Sequence, residues 1–326
     1  MGILITGATG LVGSEIVRQC QDQNISVNYL TTSKDKMVTK PEYHGYYWNP
    51  DSGVIDEKCF EGVTAIINLA GASISKRWTT RYKKEILSSR VNTLRTLHRT
   101  LKKQKTLKPG NYKAITSFVS ASAIGVYPDS LSSYYTENEK KIDNSFLGEV
   151  VEVWENEADA FNDFDFSVAK VRIGLVMSPD GGALPEMAKP VKNYVGAAFG
   201  SGEQWQSWIH ISDLARIFLF TVENSLMGVY NGVGPNPVTN NRLVKEIAKA
   251  VDKPLFLPNI PKFVMKTILG EMAYLLFASQ RVSCKKIEEE GFIFNYPNVC
   301  VALEEIFGNG QNENASDRVY NREYSS

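Results

Sequence analysis

The stretch from Met1 to Gly13 constrains this chain more than any other. An apolar run, Ile3-Leu4-Ile5, stops at Thr6-Gly7, and glycines at Gly7, Gly10 and Gly13 lead into a helical pattern. This is the order of a strand, a tight turn and a helix whose N-terminus receives a phosphate. Gly7 permits the turn, Gly10 lets a pyrophosphate approach bare backbone, and Gly13 lets helix and strand pack closely. The spacing is G-x-x-G-x-x-G, so the general dinucleotide fingerprint G-x-G-x-x-G is met only approximately. The plainer reading is an ordinary glycine-rich turn; the position directly after the first strand favours the phosphate site.

Beyond the turn, strand and helix patterns alternate. Apolar residues at Leu11, Val12, Ile16, Val17 and Cys20 have helical spacing, and Ser26 to Leu30 alternates as a strand. Val63 to Gly71 is a nearly continuous apolar strand of the kind a parallel sheet covers on both faces. Thr79 to Lys103 reads as a long helix, and Ala114 to Val119 as the strand that delivers Ser120-Ala121-Ser122. Phe146 to Phe161 reads as an amphipathic helix and Phe166 to Arg172 as a strand. The alternation predicts an α/β fold, a right-handed, doubly wound parallel Rossmann sheet, with residues 1–175 as its main body and parts of 205–234 completing it. Residues 176–308 change texture and read as a smaller, mostly helical substrate region. Expected helices there are Ser212 to Asn224, with Ser212 as N-cap, then Asn240 to Val251, Lys262 to Phe277 and Lys285 to Glu290. Residues 309–326 are polar without periodicity and are expected to be a disordered tail.

At the end of the second strand a site preferring NAD places an acid on the ribose 2′-hydroxyl. Here stand Thr32, Ser33 and Lys34, two hydroxyls and a cation, which suit a 2′-phosphate and favour NADP(H). Lys34 as a solvated loop lysine is the alternative. Small residues at Leu69-Ala70-Gly71 leave room for a ligand beyond the sheet's carboxyl edge. Arg90 stands one residue from the buried stripe of the long helix and is placed to reach inward. The aromatic cluster Trp205, Trp208 and His210 either plugs a core or walls a pocket.

The balance of 36 Lys and Arg against 36 Asp and Glu leaves no basic footprint for nucleic acid or an anionic membrane. Cys20, Cys59, Cys284 and Cys300 stand singly, which fits neither a zinc site nor a disulfide framework. They are expected to be reduced, and buried in helices rather than catalytic. No apolar run approaches the ~20 residues of a membrane span, and the first residues read as a strand rather than a leader. A cytoplasmic setting is the expectation, with no metal and a small molecule as the partner.

The chain resembles the extended short-chain dehydrogenases/reductases at Thr6 to Gly13, Asn68 to Gly71, Ser120-Ala121-Ser122 and Trp208 to Leu214. More narrowly it resembles their atypical epimerase family branch. That match is carried by Gly71 to Ile74 with Lys76-Arg77-Trp78, by Gly200 to Trp208, and by Asn231 to Val238. Gly270 to Ala273 and Ser279 to Val282 resemble the DUF1731-like segment that closes those proteins.

The resemblance implies a Rossmann domain binding NADP(H) under a C-terminal lid. It implies that Gly7, Thr9, Gly10, Leu11 and Val12 hold the pyrophosphate and that Thr32, Ser33 and Lys34 surround the 2′-phosphate. Leu69, Ala70 and Gly71 would then follow the adenosine side, while Arg90, Ser120, Arg172, Gly174 and Val176 lie toward the nicotinamide. Trp78, Trp205, Trp208, His210 and Arg281 are the expected substrate contacts. One departure is large: where such enzymes carry Tyr-x-x-x-Lys, this chain reads Phe146-Leu147-Gly148-Glu149-Val150, which lacks the acid–base pair. Ser122 remains as a carbonyl polariser, with Tyr127, Glu149 or His210 as substitute proton carriers. Two functions are consistent with this: an NADP(H)-dependent oxidoreductase or nucleoside-diphosphate-sugar epimerase-like enzyme, or an inactive NADP(H)-binding sensor or partner-binding protein. A homodimer through the long helices is a habit of related folds that the exposed helix faces do not decide.

Overall fold

The computed structural model describes residues 1–308 apart from 108, 109, 111 and 113. The tail expected at 309–326 lies outside the described residues. Seven parallel strands form the central sheet: β1 (Gly2–Thr6), β2 (Ser26–Thr31), β3 (Tyr43–Asn49), β4 (Ala65–Asn68), β5 (Ser117–Ala123), β6 (Ser167–Ile173) and β7 (Gly228–Gly232). Their spatial order is β7-β6-β5-β4-β1-β2-β3, and the short strands Thr39–Lys40 and Val54–Ile55 add antiparallel edges to β3. The order reverses beside β1, whose neighbours are β2 and β4. At such a reversal the connections leave in opposite directions and open a crevice beyond the carboxyl ends, where open α/β sheets bind ligands.

Residues Ile3, Leu4, Ile5, Ile66 and Ile67 are fully buried, as apolar runs in a doubly covered sheet must be. The long helices flank the sheet in two pairs: α1 (Leu11–Asp22) packs beside α4 (Ile211–Glu223), and α2 (Thr80–Leu107) beside α3 (Phe146–Asp159). A second apolar cluster, including Met177, Leu184, Trp208, Leu243, Ile247 and Leu303, knits the C-terminal helices together. No described helix is long and apolar enough to cross a membrane.

Several local expectations change. The N-cap of α4 is His210 rather than Ser212: its ring accepts the Ser212 N–H, which frees the helix to start one residue earlier. The single helix expected over Lys262 to Phe277 breaks at Gly270, whose φ of 61° no helical residue adopts, into Lys262–Leu269, a 3₁₀ turn and Tyr274–Phe277. Of the cysteines, Cys20 lies buried in α1. Cys59 and Cys284 are buried outside α-helices, and Cys300 is half-buried.

The turn after β1 is built as the glycine spacing requires. Gly7 has φ 72°, and a Cβ on Gly13 would lie 2.2 Å from the Gly7 carbonyl oxygen. Gly13→Ala must therefore push α1 away from the turn, and the expected loss is about 1–3 kcal/mol in chemical denaturation. Unchanged stability would show that α1 does not rest on this contact.

Candidate active site

Thr6, the last residue of β1, sets the floor of the crevice. Its hydroxyl donates to Asn68 Oδ1 at 2.8 Å and accepts the N–H groups of Leu69 and Ala70 at 3.0 and 3.1 Å. This pins the loop after β4 to the glycine turn. Gly10 caps α1 with no side-chain hydrogen bond, so the first-turn amides meet no capping side chain. An anion is the natural partner of that helix end, where the macrodipole is positive. Thr9 and Gly10 are exposed and Leu11 and Val12 half-buried along the same turn. A pyrophosphate fits this cradle, because bare backbone and unclaimed amides face outward together.

At the end of β2, Thr32 and Lys34 are exposed and Ser33 is half-buried. The Lys34 ammonium lies over the Tyr47 ring, 5.3 Å from its centroid, with no carboxylate within 4 Å among the described residues.

Beyond β5 and β6 lies the sheet-end cavity, of about 200 Å³. Ala123, Gly125, Gly174 and Leu175 come from the strand ends, Leu147, Val150, Val151 and Trp154 from α3, and Tyr274, Leu275 and Ala278 close it from the C-terminal region. Arg90 is the only charged residue among its described lining. Its Nη1 donates to the carbonyls of Ala72 and Ile86 at 3.1 and 2.9 Å, and its guanidinium carbon stands 4.8 Å from the Trp154 ring centroid. The Nε is buried with no partner. Burial without a carboxylate pushes the Arg90 pKa down to about 10, so the group is still a cation at neutral pH and one with unspent donors.

Behind this wall runs a buried polar chain. Ser122 donates to Glu155 Oε1 at 2.5 Å; Arg172 grips Glu155 with Nε and Nη2, both at 2.8 Å, and donates from Nη1 to the Tyr127 hydroxyl at 2.9 Å. The Tyr127 hydroxyl in turn donates to Asn231 Oδ1 at 2.7 Å. Burial pushes the Glu155 carboxyl up, but Arg172 and Ser122 outweigh it and hold the group below the usual range. Burial pushes the Tyr127 phenol up to about 12 despite Arg172.

The structure brings together only part of the expected site. Leu147 and Val151, rather than Phe146 and Val150 alone, carry the four-residue spacing onto the cavity, while Phe146 turns to Trp78, with 5.3 Å between ring centroids. All four are apolar. The Ser122 hydroxyl is bonded to Glu155, and its neighbour Ala123 lines the cavity, because successive strand residues face opposite sides. Ser120 is likewise spent, between Asn68 and the Ala121 carbonyl. Tyr127 and Arg172 sit in the buried chain, and Glu149 is exposed and outside the cavity lining. His210 is 4% exposed and tilted against Tyr296, with ring centroids 3.8 Å apart and its Nε2 3.1 Å from Glu305; burial lowers its pKa. Trp78 donates to the Ile74 carbonyl and Trp208 to the Asn236 carbonyl, both from within packed clusters. Val176 lies on a short strand that pairs with Trp208–His210. Trp205 does line the cavity, and the Arg281 guanidinium lies 4.5 Å from its ring centroid.

Sequence reasoning missed Glu155, Gln206, Tyr274 and Gln280. Glu155 had a signal: an acid on the stripe Val151, Trp154, Glu155, Ala158 that α3 buries. Tyr274 and Gln280 had none, since their place depends on the break at Gly270. Tyr274 donates to Asp143 at 2.6 Å, and burial together with that carboxylate raises its pKa, which makes it a poor proton donor.

Known proteins share this arrangement of sheet and closing segment. Residues 3–231 match the NAD dependent epimerase/dehydratase family. The chain belongs to that family. Residues 260–306 match a domain of unknown function, DUF1731. An epimerase family protein of Staphylococcus haemolyticus is 36% identical over 304 residues, 93% of this chain and 98% of that protein. Among solved structures, the human epimerase family protein SDR39U1 with NADPH superposes with a TM-score of 0.80 at 28% identity, covering 95% of this chain and all of that one. A nucleoside-diphosphate sugar epimerase from Corynebacterium glutamicum gives 0.73 at 27% identity, covering 94% of this chain and 58% of that one. This family member thus has an NAD(P)-binding fold.

A carboxylate with a depressed folded pKa stabilises above its unfolded value, near 4.3, and that contribution is lost as pH falls through the lower folded value. Glu155→Gln is expected to cost about 3 kcal/mol at neutral pH, because it leaves Arg172 buried without its counter-ion. The gap between wild type and variant should shrink as denaturation is repeated down to about pH 3. A gap independent of pH would mean that the pair is not ionic.

Proposed function

We propose that this chain binds NADP(H) and transfers hydride to or from a small carbonyl-bearing or sugar-nucleotide-like substrate, without a Tyr-Lys acid–base pair. The observation that carries this reading is Arg90: a cation with an unpartnered buried Nε on an otherwise uncharged cavity at the end of a dinucleotide sheet. Two further features support it, the uncapped N-terminus of α1 and the Lys34 loop with no acid at the end of β2. The human relative solved with NADPH supports the same cofactor.

When bound, the cofactor supplies the hydride at its nicotinamide ring. The residues of the chain do the rest by position. Thr6 and Asn68 hold the loop Leu69 to Gly71 as one wall, and the amides of Leu11 and Val12 take the pyrophosphate. Thr32, Ser33 and Lys34 take the 2′-phosphate. Arg90, held by two carbonyls and the Trp154 face, turns its remaining donors to an oxygen of the nicotinamide ribose or of the substrate. A guanidinium held this way stabilises developing negative charge without reorganising. The apolar faces of Ala123, Leu147 and Val151 exclude water from the reacting carbon. Ser122, Glu155 and Arg172 act behind the wall as its brace.

The same apolar wall favours a second reading, an NADP(H)-binding protein without turnover whose partner distinguishes the oxidised from the reduced form. Turnover of any carbonyl with NADPH removes it.

The test is calorimetric titration with NADPH, NADP, NADH and NAD on wild type, Lys34→Ala and Arg90→Ala. The phosphorylated pair should bind at least about tenfold more tightly, equivalent to about 1.4 kcal/mol. That preference should vanish in Lys34→Ala, and Arg90→Ala should abolish turnover or weaken both phosphorylated forms alike. Equal or absent binding of all four overturns the reading.

A further inference from the structure

A second cavity, of about 300 Å³, lies on the other side of Trp205, which lines both. Two short strand pairs build it. Trp205–Gln206 runs antiparallel to Val238–Thr239 and places Trp205 opposite Thr239. Arg281–Val282 runs parallel to Tyr134–Tyr135 and places Arg281 opposite Tyr134. The Gln280 N–H donates to the Trp205 carbonyl at 3.2 Å and joins the two pairs.

The lining is chemically one-sided. It contains two arginines, Arg242 and Arg281, and no acid. Arg242 and Arg281 have no carboxylate within 4 Å among the described residues, as is also true of Arg77, Arg81, Arg90 and Arg99, whereas Arg18, Arg95, Arg172 and Arg216 are paired. Arg281 is oriented by stacking, its guanidinium 4.5 Å from the Trp205 centroid and 5.2 Å from that of Tyr134. Trp205 is itself fixed by a 3.1 Å hydrogen bond from its indole N–H to the Leu131 carbonyl. Arg242 stands in the first turn of the helix Asn240–Ala250, capped by Thr239, so the positive end of the helix dipole adds to the two guanidinium charges. In a chain whose charges balance overall, this is a concave, positive, aromatic-backed site that shares Trp205 with the sheet-end cavity.

We propose that this cavity holds the anionic end of the substrate, a compact carboxylate or phosphate group clamped by Arg242 and Arg281, while the reacting carbon lies beyond Trp205 in the sheet-end cavity. Guanidinium forks match the planar oxygens of a carboxylate or phosphate. Arg281 already lies over one face each of Trp205 and Tyr134, and its pairing with Arg242 assigns the site to the acidic group. The cavity volume is at the lower end for small-ligand pockets and suits such a group with a short skeleton. The assignment rests on the hydride-transfer reading only in linking the two cavities.

The test is titration of the intact protein with inorganic phosphate, inorganic pyrophosphate, succinate and uridine diphosphate at constant ionic strength, read by calorimetry and tryptophan fluorescence. NADPH is titrated in parallel on every variant. Saturable binding of phosphate, pyrophosphate or succinate is expected, weakened at least about tenfold in Arg242→Ala and in Arg281→Ala and not restored by Arg281→Lys, which lacks the stacking fork. NADPH affinity should stay as in wild type. A preference for phosphate over succinate, or the reverse, names the acid. Anion binding that survives the double Arg242→Ala, Arg281→Ala substitution overturns the proposal, as does no saturable binding of any anion. Uridine diphosphate binding far more tightly than pyrophosphate also overturns it, in favour of a nucleotide. Loss of NADPH binding in wild type with anion binding intact overturns the hydride-transfer reading and leaves the anion site standing.

Discussion

The Glu155 carboxylate and the Arg172 guanidinium meet between α3 and β6, and both walls of the sheet-end cavity depend on that meeting. α3 supplies Leu147, Val150, Val151 and Trp154 to one wall, and β6 leads into Ile173, Gly174 and Leu175 on the other. The two 2.8 Å bonds between Arg172 and Glu155 fix the spacing of those elements more sharply than apolar contact does, since a bidentate pair tolerates little sliding. A buried ion pair is a weak source of net stability, because removing two charges from water costs several kcal/mol each. Its value here lies in geometry: the pair is surrounded by further polar partners, Ser122, Tyr127, Asn231 and Lys170, whose Nζ stands 3.9 Å from Glu155. A network satisfied to that degree specifies one packing.

That network also explains why conventional candidates for catalysis sit where they do. Ser122, Tyr127 and Arg172 have the residue types of an active site, yet their polar atoms are spent on one another. The alternation of a strand decides the matter for Ser122: with Ala123 on the cavity, its neighbour must face α3. His210 is engaged by a different rule, the need of a helix start for an acceptor, which its ring fills at the Ser212 N–H.

The parts legible in the sequence are those fixed by local rules. The glycine turn and the parallel, doubly wound sheet implied by alternating elements each follow from residues close together in the chain. Trp205 and Arg281 stand in separate passages, and they meet at 4.5 Å because two short strand pairs bring them together. Periodicity cannot forecast such pairs, which are two residues long. For the same reason Tyr134 and Arg242 carry no sign of their place, and Trp78 and Trp208 read as pocket walls although they pack in clusters. A tryptophan at a motif does not reveal which way it faces. The break at Gly270 is hidden because the sequence on either side of it continues in helical residues.

Arg90 brings charge to a cavity that α3, the helix beside β5, lines with apolar residues alone. In this chain α3 presents a continuous apolar face to the cavity, and the cation enters from α2 instead, lying against Gly71 and the Trp154 ring. A lysine on α3 would bring a flexible, strongly hydrated point charge; an arginine reaching across from α2 brings a rigid fork with donors to spare. Its burial lowers its pKa only to about 10, so desolvation leaves the charge in place at neutral pH. The cavity therefore keeps a positive charge within a mostly apolar wall, which raises the worth of each hydrogen bond that Arg90 makes. A wall of this kind favours negative charge on whatever lies against it, because Arg90 is the one charged group among its described lining.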